Sequence, residues 1–189
     1  MTVLGVVLAA GAGSRFRASG ADGHKLLAPL RGRRVVEWAI DAALAGGLDE
    51  VVVVTGAVDV PVPEGAAELH NERWADGQAT SLALALDHAA TAGHDVIVVG
   101  LGDQPFLNGD AWRAVAAAVN ADTPLATAAY DGVAGQPVAI HCSLWPEVPR
   151  TGDAGARSLL ARHRGRVVEV PCTGSPADID TLEDLARWS

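Results

Sequence analysis

The sequence predicts a single α/β domain: a Rossmann-like three-layer α/β/α sandwich on a mostly parallel sheet of about seven strands, one of them antiparallel. Three observations lead there. Short β-branched runs alternate with alanine-rich stretches of helical length, as in a sheet whose strands are joined by helices. Two runs, Val3–Ala9 and Val96–Gly100, are continuously apolar, as central strands covered on both faces are. The 189 residues hold no repeat, low-complexity tract or linker, and the break Asp59-Val60-Pro61-Val62-Pro63 is too short to separate domains.

Taken in order, strands are placed at Val3–Ala9, Val51–Thr55, Ala67–His70, Val96–Gly100, Ala126–Tyr130, Pro137–His141 and Val167–Val170. Helices fall at Val35–Ala45, Thr80–Ala90, Gly109–Asn120, Ala154–His163 and Thr181–Trp188. Gly46-Gly47 closes the first helix and Gly93 follows the second, since glycine is favoured just past a helix C-terminus. Asn108 and Asp180 are placed as N-caps of the third and fifth.

Composition narrows the function classes. Hydrophobic residues at 49% and charged residues at 20% fit a folded, water-exposed chain. A formal net charge of −9 argues against nonspecific nucleic-acid binding while leaving room for one cationic cleft. No apolar run approaches the roughly 18 residues that cross a bilayer. No cationic segment precedes Val3, so a secretory leader is not expected. Cys142 and Cys172 form no CxxC pair and read as reduced thiols in preference to a disulfide or a metal pair. A cytoplasmic protein with no nucleic-acid and no membrane partner is the expectation.

The chemistry begins where the first strand stops, at Gly11-Ala12-Gly13, with Arg15 and then Lys25 following. Glycines let backbone N–H groups approach phosphate, since no Cβ intervenes. The dinucleotide fingerprint G-x-G-x-x-G fails here: Phe16 stands for the third glycine, Arg17 to Gly23 is a poor helix former, and the second strand ends in Thr55-Gly56 with no acid for a ribose. No Gly-Lys-Ser/Thr exists for a Walker loop. A tight turn without ligand remains as the bland reading, but it leaves the two cations unexplained. Arg15 as a planar fork and Lys25 as a point charge suit a nucleoside triphosphate, which calls for a divalent metal.

A metal needs a carboxylate at the end of a central strand, and Gly102-Asp103-Gln104-Pro105 supplies one just past the second apolar run. Asp103 reads as a metal ligand or as a capping aspartate ahead of the helix near Asn108. Asp180 reads as the start of a capping box with Glu183 or as a second metal contact. Arg157, in the first turn of a helix after a glycine loop, either binds an anion or pairs with Asp153. No nucleophile–His–acid set is evident, and the six histidines are scattered. His24, beside Lys25, is the one placed to touch phosphate.

These motifs, in this order, resemble the nucleotidyltransferases of the molybdenum cofactor: Leu8 to Phe16, Lys25-Leu26-Leu27, Gly102 to Pro105, and Asp178-Ile179-Asp180-Thr181 with Glu183-Asp184-Leu185. Gly135-Gln136-Pro137-Val138 and Gly152-Asp153-x-Gly155-Ala156-Arg157 resemble the cytidylyltransferase branch in particular, as does Ala10. The resemblance implies the nucleotide-diphospho-sugar transferase fold and Mg²⁺-dependent transfer of a cytidylyl group from CTP to the phosphate of molybdopterin, with release of pyrophosphate. It implies catalytic roles for Arg15, Lys25 and Asp103. Nucleotide contacts would come from Leu8, Ala9, Ala10, Gly11, Ala12, Gly13, Ser14, Arg15, Lys25, Asn71, Gly77, Ser81 and Asp103. The acceptor would meet Gln104, Pro105, Gly135, Gln136, Pro137, Gly152, Asp153, Gly155 and Arg157. Mg²⁺ would sit on Asp103 and Asp180, and Trp74 would lie near the base. A molybdenum hydroxylase apo-enzyme is the implied recipient. Glu72 in place of proline, Arg17 in place of glycine, and the long link Ala18–His24 depart from the family pattern. Alternatives are another triphosphate such as GTP, another small phosphate acceptor such as a sugar phosphate, or a cofactor carrier without turnover.

Overall fold

The computed structural model describes residues 1–189. Its strands are β1 (Val3–Leu8), β2 (Pro29–Leu30), β3 (Arg33–Arg34), β4 (Glu50–Thr55), β5 (Ala67–His70), β6 (Val96–Leu101), β7 (Leu125–Tyr130), β8 (Val133–His141) and β9 (Val167–Pro171). Its α-helices are α1 (Ser14–Ala18), α2 (Val35–Ala45), α3 (Gln78–Ala92), α4 (Gly109–Ala117), α5 (Gly155–Arg162) and α6 (Leu182–Trp188). Seven strands form one sheet in the order β5-β4-β1-β6-β8-β7-β9, and β2 and β3 make a separate hairpin. All neighbours in the large sheet are parallel except β8, which runs against β6 and β7. The predicted fold class therefore holds, down to the lone antiparallel strand.

The central strands are apolar throughout because both faces are covered. Leu4, Val6, Val52, Val54, Ile97 and Val99 point to one side and pack with Leu82 and Leu86 of α3 and Leu159 of α5. Val7, Val53 and Val98 point to the other and meet Ile40 of α2 and Trp112 of α4. Each such side chain contributes about 1.5–3 kcal/mol on leaving water. No helix is long and apolar enough to cross a membrane.

Three details depart from the sequence reading. The five-residue α1 and the β2–β3 hairpin were not expected. Phe16, 3% exposed, inserts among Leu30, Val35 and Ile179, so tertiary packing supplies what helix propensity lacks around Arg17. Strand β8 begins at Val133, ahead of the expected Pro137. A hairpin turn with positive φ at Asp131 and Gly132 pairs its first residues with β7, and the register shifts between Thr127 and Ala128. Finally, Thr181 rather than Asp180 caps α6. Its Oγ accepts from the Asp184 N–H at 3.1 Å, and the Asp184 carboxylate accepts from the Thr181 N–H at 2.9 Å. The capping box thus starts one residue later, and the Asp180 side chain is left free for other partners.

The topology places the site. From β1 the chain goes to β4 and β5 on one side, then to β6 on the other, so the strand order reverses at β1. Open α/β sheets bind ligands beyond the carboxyl ends of strands at such a point. Leu8 lies opposite Leu101 there, which brings the Gly11–Gly13 loop beside Asp103.

Candidate active site

After Ala9, whose N–H bonds to the Val54 carbonyl at 2.8 Å, the chain leaves the sheet. The N–H groups of Ala10, Gly11, Ala12 and Gly13 find no partner within the protein. A run of unpaired donors on a glycine loop forms a concave anion seat. It borders a cavity of about 550 Å³ lined by residues 8–15, Lys25, Leu26, Trp74, Ala75, Gly77, Gln78, Ser81, Leu101, Asp103, Asp153 and Asp180.

The charged groups converge on one another. Lys25 Nζ donates to Asp103 Oδ2 at 2.5 Å and to Asp180 Oδ1 at 2.6 Å. Arg15 donates to the other oxygen of Asp180. Lys25, Asp103 and Asp180 are only 15–17% exposed, whereas Arg15 reaches into solvent. Burial alone would lower the Lys25 ammonium pKa, but the Asp103 and Asp180 carboxylates outweigh it and hold it above its ordinary value. Asp178 stands beside this group, its carboxyl pushed up by burial and then by the charges of Asp180 and Asp103.

Asp103 Oδ1 is buried and has no hydrogen-bond partner. An orphaned carboxylate oxygen beside a second carboxylate is the hard oxygen donor set that Mg²⁺ takes. No group of three or more His, Cys, Asp or Glu is gathered that could hold a metal unaided. An ion on Asp103 and Asp180 would complete its shell with phosphate oxygens and water, the habit of Mg²⁺ at nucleotide sites. The residues present fit such an ion.

The segment after β5 closes one side. Asn71, expected as a nucleotide contact, is not in the cavity wall; it is buried behind it. Its side-chain amide donates to the hydroxyls of Thr80 and Ser81, each at 2.9 Å, and its Oδ1 accepts from the Arg73 N–H. Ser81 itself lines the cavity, as do Trp74 and Gly77. Gly77 sits at φ +107° against the Gly152 backbone, and a Cβ there would fall 2.5 Å from the Gly152 carbonyl. The Gly77→Ala substitution meets both forbidden backbone space and an immovable neighbour. It is expected to cost about 2 kcal/mol, a Tm loss near 6 °C by thermal denaturation.

On the acceptor side the expected residues divide. Asp153 lines the cavity, and Gly152 binds the start of α3 through its carbonyl, which accepts from the Ala79 N–H at 2.8 Å. Gly155 packs against Gln78. Gln104, buried beside buried Pro105, donates to the Pro176 carbonyl at 3.0 Å and leaves its own Oε1 unpaired. Gly135 approaches Pro176 as well, and the Gln136 Oε1 is also buried without a partner. The Tyr130 hydroxyl donates to the Gln136 carbonyl at 2.7 Å, beside buried Pro137. Arg157 lies elsewhere. It lines a separate cavity of about 390 Å³ with Arg164, Glu169 and Thr127, and it makes no pair with Asp153. Ala75, Gln78 and Leu101 line the cavity without having been singled out by sequence reasoning, and Leu26 and Asp178 were quoted only within motifs, with no role assigned. Only Gln78 and Asp178 carried a signal, as polar neighbours of Gly77 and Asp180.

His24 also departs from expectation. Its ring is absent from the cavity wall and lies under the loop, 9% exposed, with Nε2 2.9 Å from the Gly11 carbonyl.

Comparison with known proteins bears on this geometry. A family described as MobA-like NTP transferase domain matches residues 5–167. "Nicotine blue oxidoreductase" of Paenarthrobacter nicotinovorans is 37% identical, over 98% of this chain and 95% of its own. "Purine catabolism protein PucB" of Bacillus subtilis (strain 168) is 31% identical, over 96% and 93%. Among solved structures, Rv0371c of Mycobacterium tuberculosis H37Rv superposes with a TM-score of 0.82 at 28% identity, covering 100% of this chain and 97% of that one. A second structure of that mycobacterial protein is a complex with manganese, with a TM-score of 0.78.

Proposed function

The chain belongs to the MobA-like NTP transferase family, and on that premise we propose that it moves a cytidylyl group from CTP to the phosphate of molybdopterin, with Mg²⁺, releasing pyrophosphate. One observation carries the reading: Arg15, Lys25, Asp103 and Asp180 meet at a single cavity beneath a loop of unpaired N–H groups. A polyanion and a divalent ion are what that combination would bind. The manganese complex of the mycobacterial relative supports a divalent ion at this fold. The motifs Gly135 to Val138 and Gly152 to Gly155 favour the pterin phosphate, and Ala10 favours cytidine.

In the reaction, an oxygen of the acceptor phosphate attacks the α-phosphorus, and the bond to the bridging oxygen of pyrophosphate breaks in line. The acceptor is already ionised near neutrality, so no general base is needed. The loop N–H groups and Arg15 would hold the triphosphate, and Lys25 would meet the charge gathering on the departing pyrophosphate. Asp103 and Asp180 would hold Mg²⁺, which neutralises charge on phosphate oxygens when bound. Gln104, Asp153 and the Gly135–Pro137 segment would orient the acceptor. The recipient of the product would be a molybdenum hydroxylase apo-enzyme.

The name of the Paenarthrobacter relative raises a redox reading with a dinucleotide cofactor. Against it, α1 is only five residues long, Phe16 replaces the third glycine, and β4 ends at Thr55, whose hydroxyl is engaged by Glu68. The deciding experiment incubates the protein with Mg²⁺ and each triphosphate in turn, with molybdopterin (molybdenum inserted or not) or a sugar phosphate as acceptor, and measures pyrophosphate, while a parallel arm follows NADH and NADPH. Release with CTP at about ten times the GTP rate is expected, a difference near 1.4 kcal/mol. Equal release with GTP removes the cytidine assignment. Release only with a sugar phosphate relocates the acceptor, and consumption of NADH or NADPH without pyrophosphate replaces the reaction.

A further inference from the structure

We infer that His24 is a positioning residue of the nucleotide loop: in its neutral form, with the proton on Nε2, it locks the Gly11–Ala12 peptide in the orientation that turns the Ala12 N–H away from the ring toward the cavity. The inference rests on the loop being a triphosphate seat. Three contacts define the imidazole. Nε2 lies 2.9 Å from the Gly11 carbonyl, which only accepts, so Nε2 carries the proton. Nδ1 accepts from the Leu26 N–H at 3.3 Å, so it is unprotonated. The ring also fills the space beside Gly13, held at φ +63°, where a Cβ would come within 3.1 Å of Nε2. Across a planar trans peptide, C=O and N–H point in opposite directions. Tying the Gly11 carbonyl to the ring thus turns the Ala12 N–H, unpaired within the protein, to the other side, where Ala12 lines the cavity.

The same ring joins the loop to the cation that serves it. His24 caps the short 3₁₀ turn at Lys25–Leu27, so loop and Lys25 are braced by one side chain. The arrangement tolerates only one protonation state, because a proton on Nδ1 expels the Leu26 N–H. The charged groups facing the ring are Arg17 of α1 and adjacent Lys25, while the loop presents only the Gly11 and Ala12 carbonyls. Burial lowers the His24 pKa below its ordinary value, and both cations lower it further against those carbonyls. The ring is therefore neutral at physiological pH and charges only in acid, where the brace is lost.

Two variants separate positioning from bulk packing. His24→Gln carries an amide N–H to about the place of Nε2, and His24→Asn keeps an acceptor near Nδ1 but does not reach Gly11. Binding of inorganic tripolyphosphate and of CTP with Mg²⁺ is measured by calorimetry between pH 5 and 8, with Tm recorded for each protein. His24→Asn is expected to weaken both ligands about tenfold at pH 7.5 and to raise nucleotide KM without a matching fall in kcat. His24→Gln is expected to recover most of the affinity. Wild-type affinity relative to His24→Gln should stay level from pH 8 down to the ordinary imidazole value of about 6.5, since the His24 pKa lies below it, a ratio in which the ligand's own protonation cancels. Wild-type affinity in the His24→Asn protein overturns the inference while leaving the triphosphate seat intact. If the wild-type protein binds neither ligand, the seat itself falls and this role with it.

Discussion

Asp103→Asn is expected to fold normally and to lose Mg²⁺-dependent transfer by about a hundred- to a thousand-fold, the usual effect of deleting one electrostatic contact that matters in the transition state. The substitution keeps the shape and removes one negative charge. Lys25 retains Asp180 as a partner at 2.6 Å, the amide oxygen can still accept from it, and one charge fewer crowds Asp178 and Asp180. Stability should accordingly change by no more than about 1 kcal/mol, or 2–4 °C in Tm. Removing the charge also takes away one of the anions that push the Asp178 carboxyl up, so that group should titrate lower in the variant. Raising Mg²⁺ should recover little turnover, since the lost oxygen charge cannot be replaced from solution. Undiminished turnover in a folded Asp103→Asn protein places the metal elsewhere, and the reading of the strand-end carboxylate with it.

How far the sequence reached is clearest at residues whose roles depend on distant partners. The β1 loop, Lys25 and Asp103 were legible because each sits at a strand exit or beside a glycine turn, where local pattern and topology agree. Asp180 was half legible. Its neighbours Thr181 and Asp184 form the cap, and only the fold brings it to Lys25, across a sequence separation of 155 residues. Asn71 was read as a nucleotide contact from the family resemblance, and His24 as a phosphate contact because it adjoins Lys25. In the structure both are buried and spend their hydrogen bonds on backbone and hydroxyls. Arg157 illustrates the opposite limit. Its glycine loop does reach the cavity at Asp153, but the helical turn carries the guanidinium to a different cavity beside Arg164. The short α1 escaped notice because its stability comes from Phe16 packing on Leu30 and Ile179, and no local propensity records that contact.

Lys25→Met should lose turnover by about a thousand-fold and, unlike Asp103→Asn, should also destabilise the fold. Methionine keeps the apolar stem but leaves Asp103 and Asp180 facing each other with only Arg15 at the rim, and Asp178 close by. Removing one partner of a largely buried ion group costs on the order of 3 kcal/mol, here a Tm loss near 9 °C. The pH dependence identifies the cause. In the wild-type protein the Lys25 pKa is raised, so its stabilisation is complete below the unfolded value of about 10.4 and fades only as pH climbs through the folded value above it. The deficit of the variant should therefore be constant from about pH 7 to 9. It should shrink toward pH 4 as the crowded carboxylates take up protons and cease to repel. Lys25→Arg keeps the charge, but a planar fork does not fit where one compact ammonium holds two carboxylates at 2.5 and 2.6 Å. Stability should largely return in the arginine variant and turnover only in part. A deficit equally deep at pH 4.5 and 7.5 would mean that packing of the lysine stem, and not charge shared among the aspartates, is what holds this end of the sheet together.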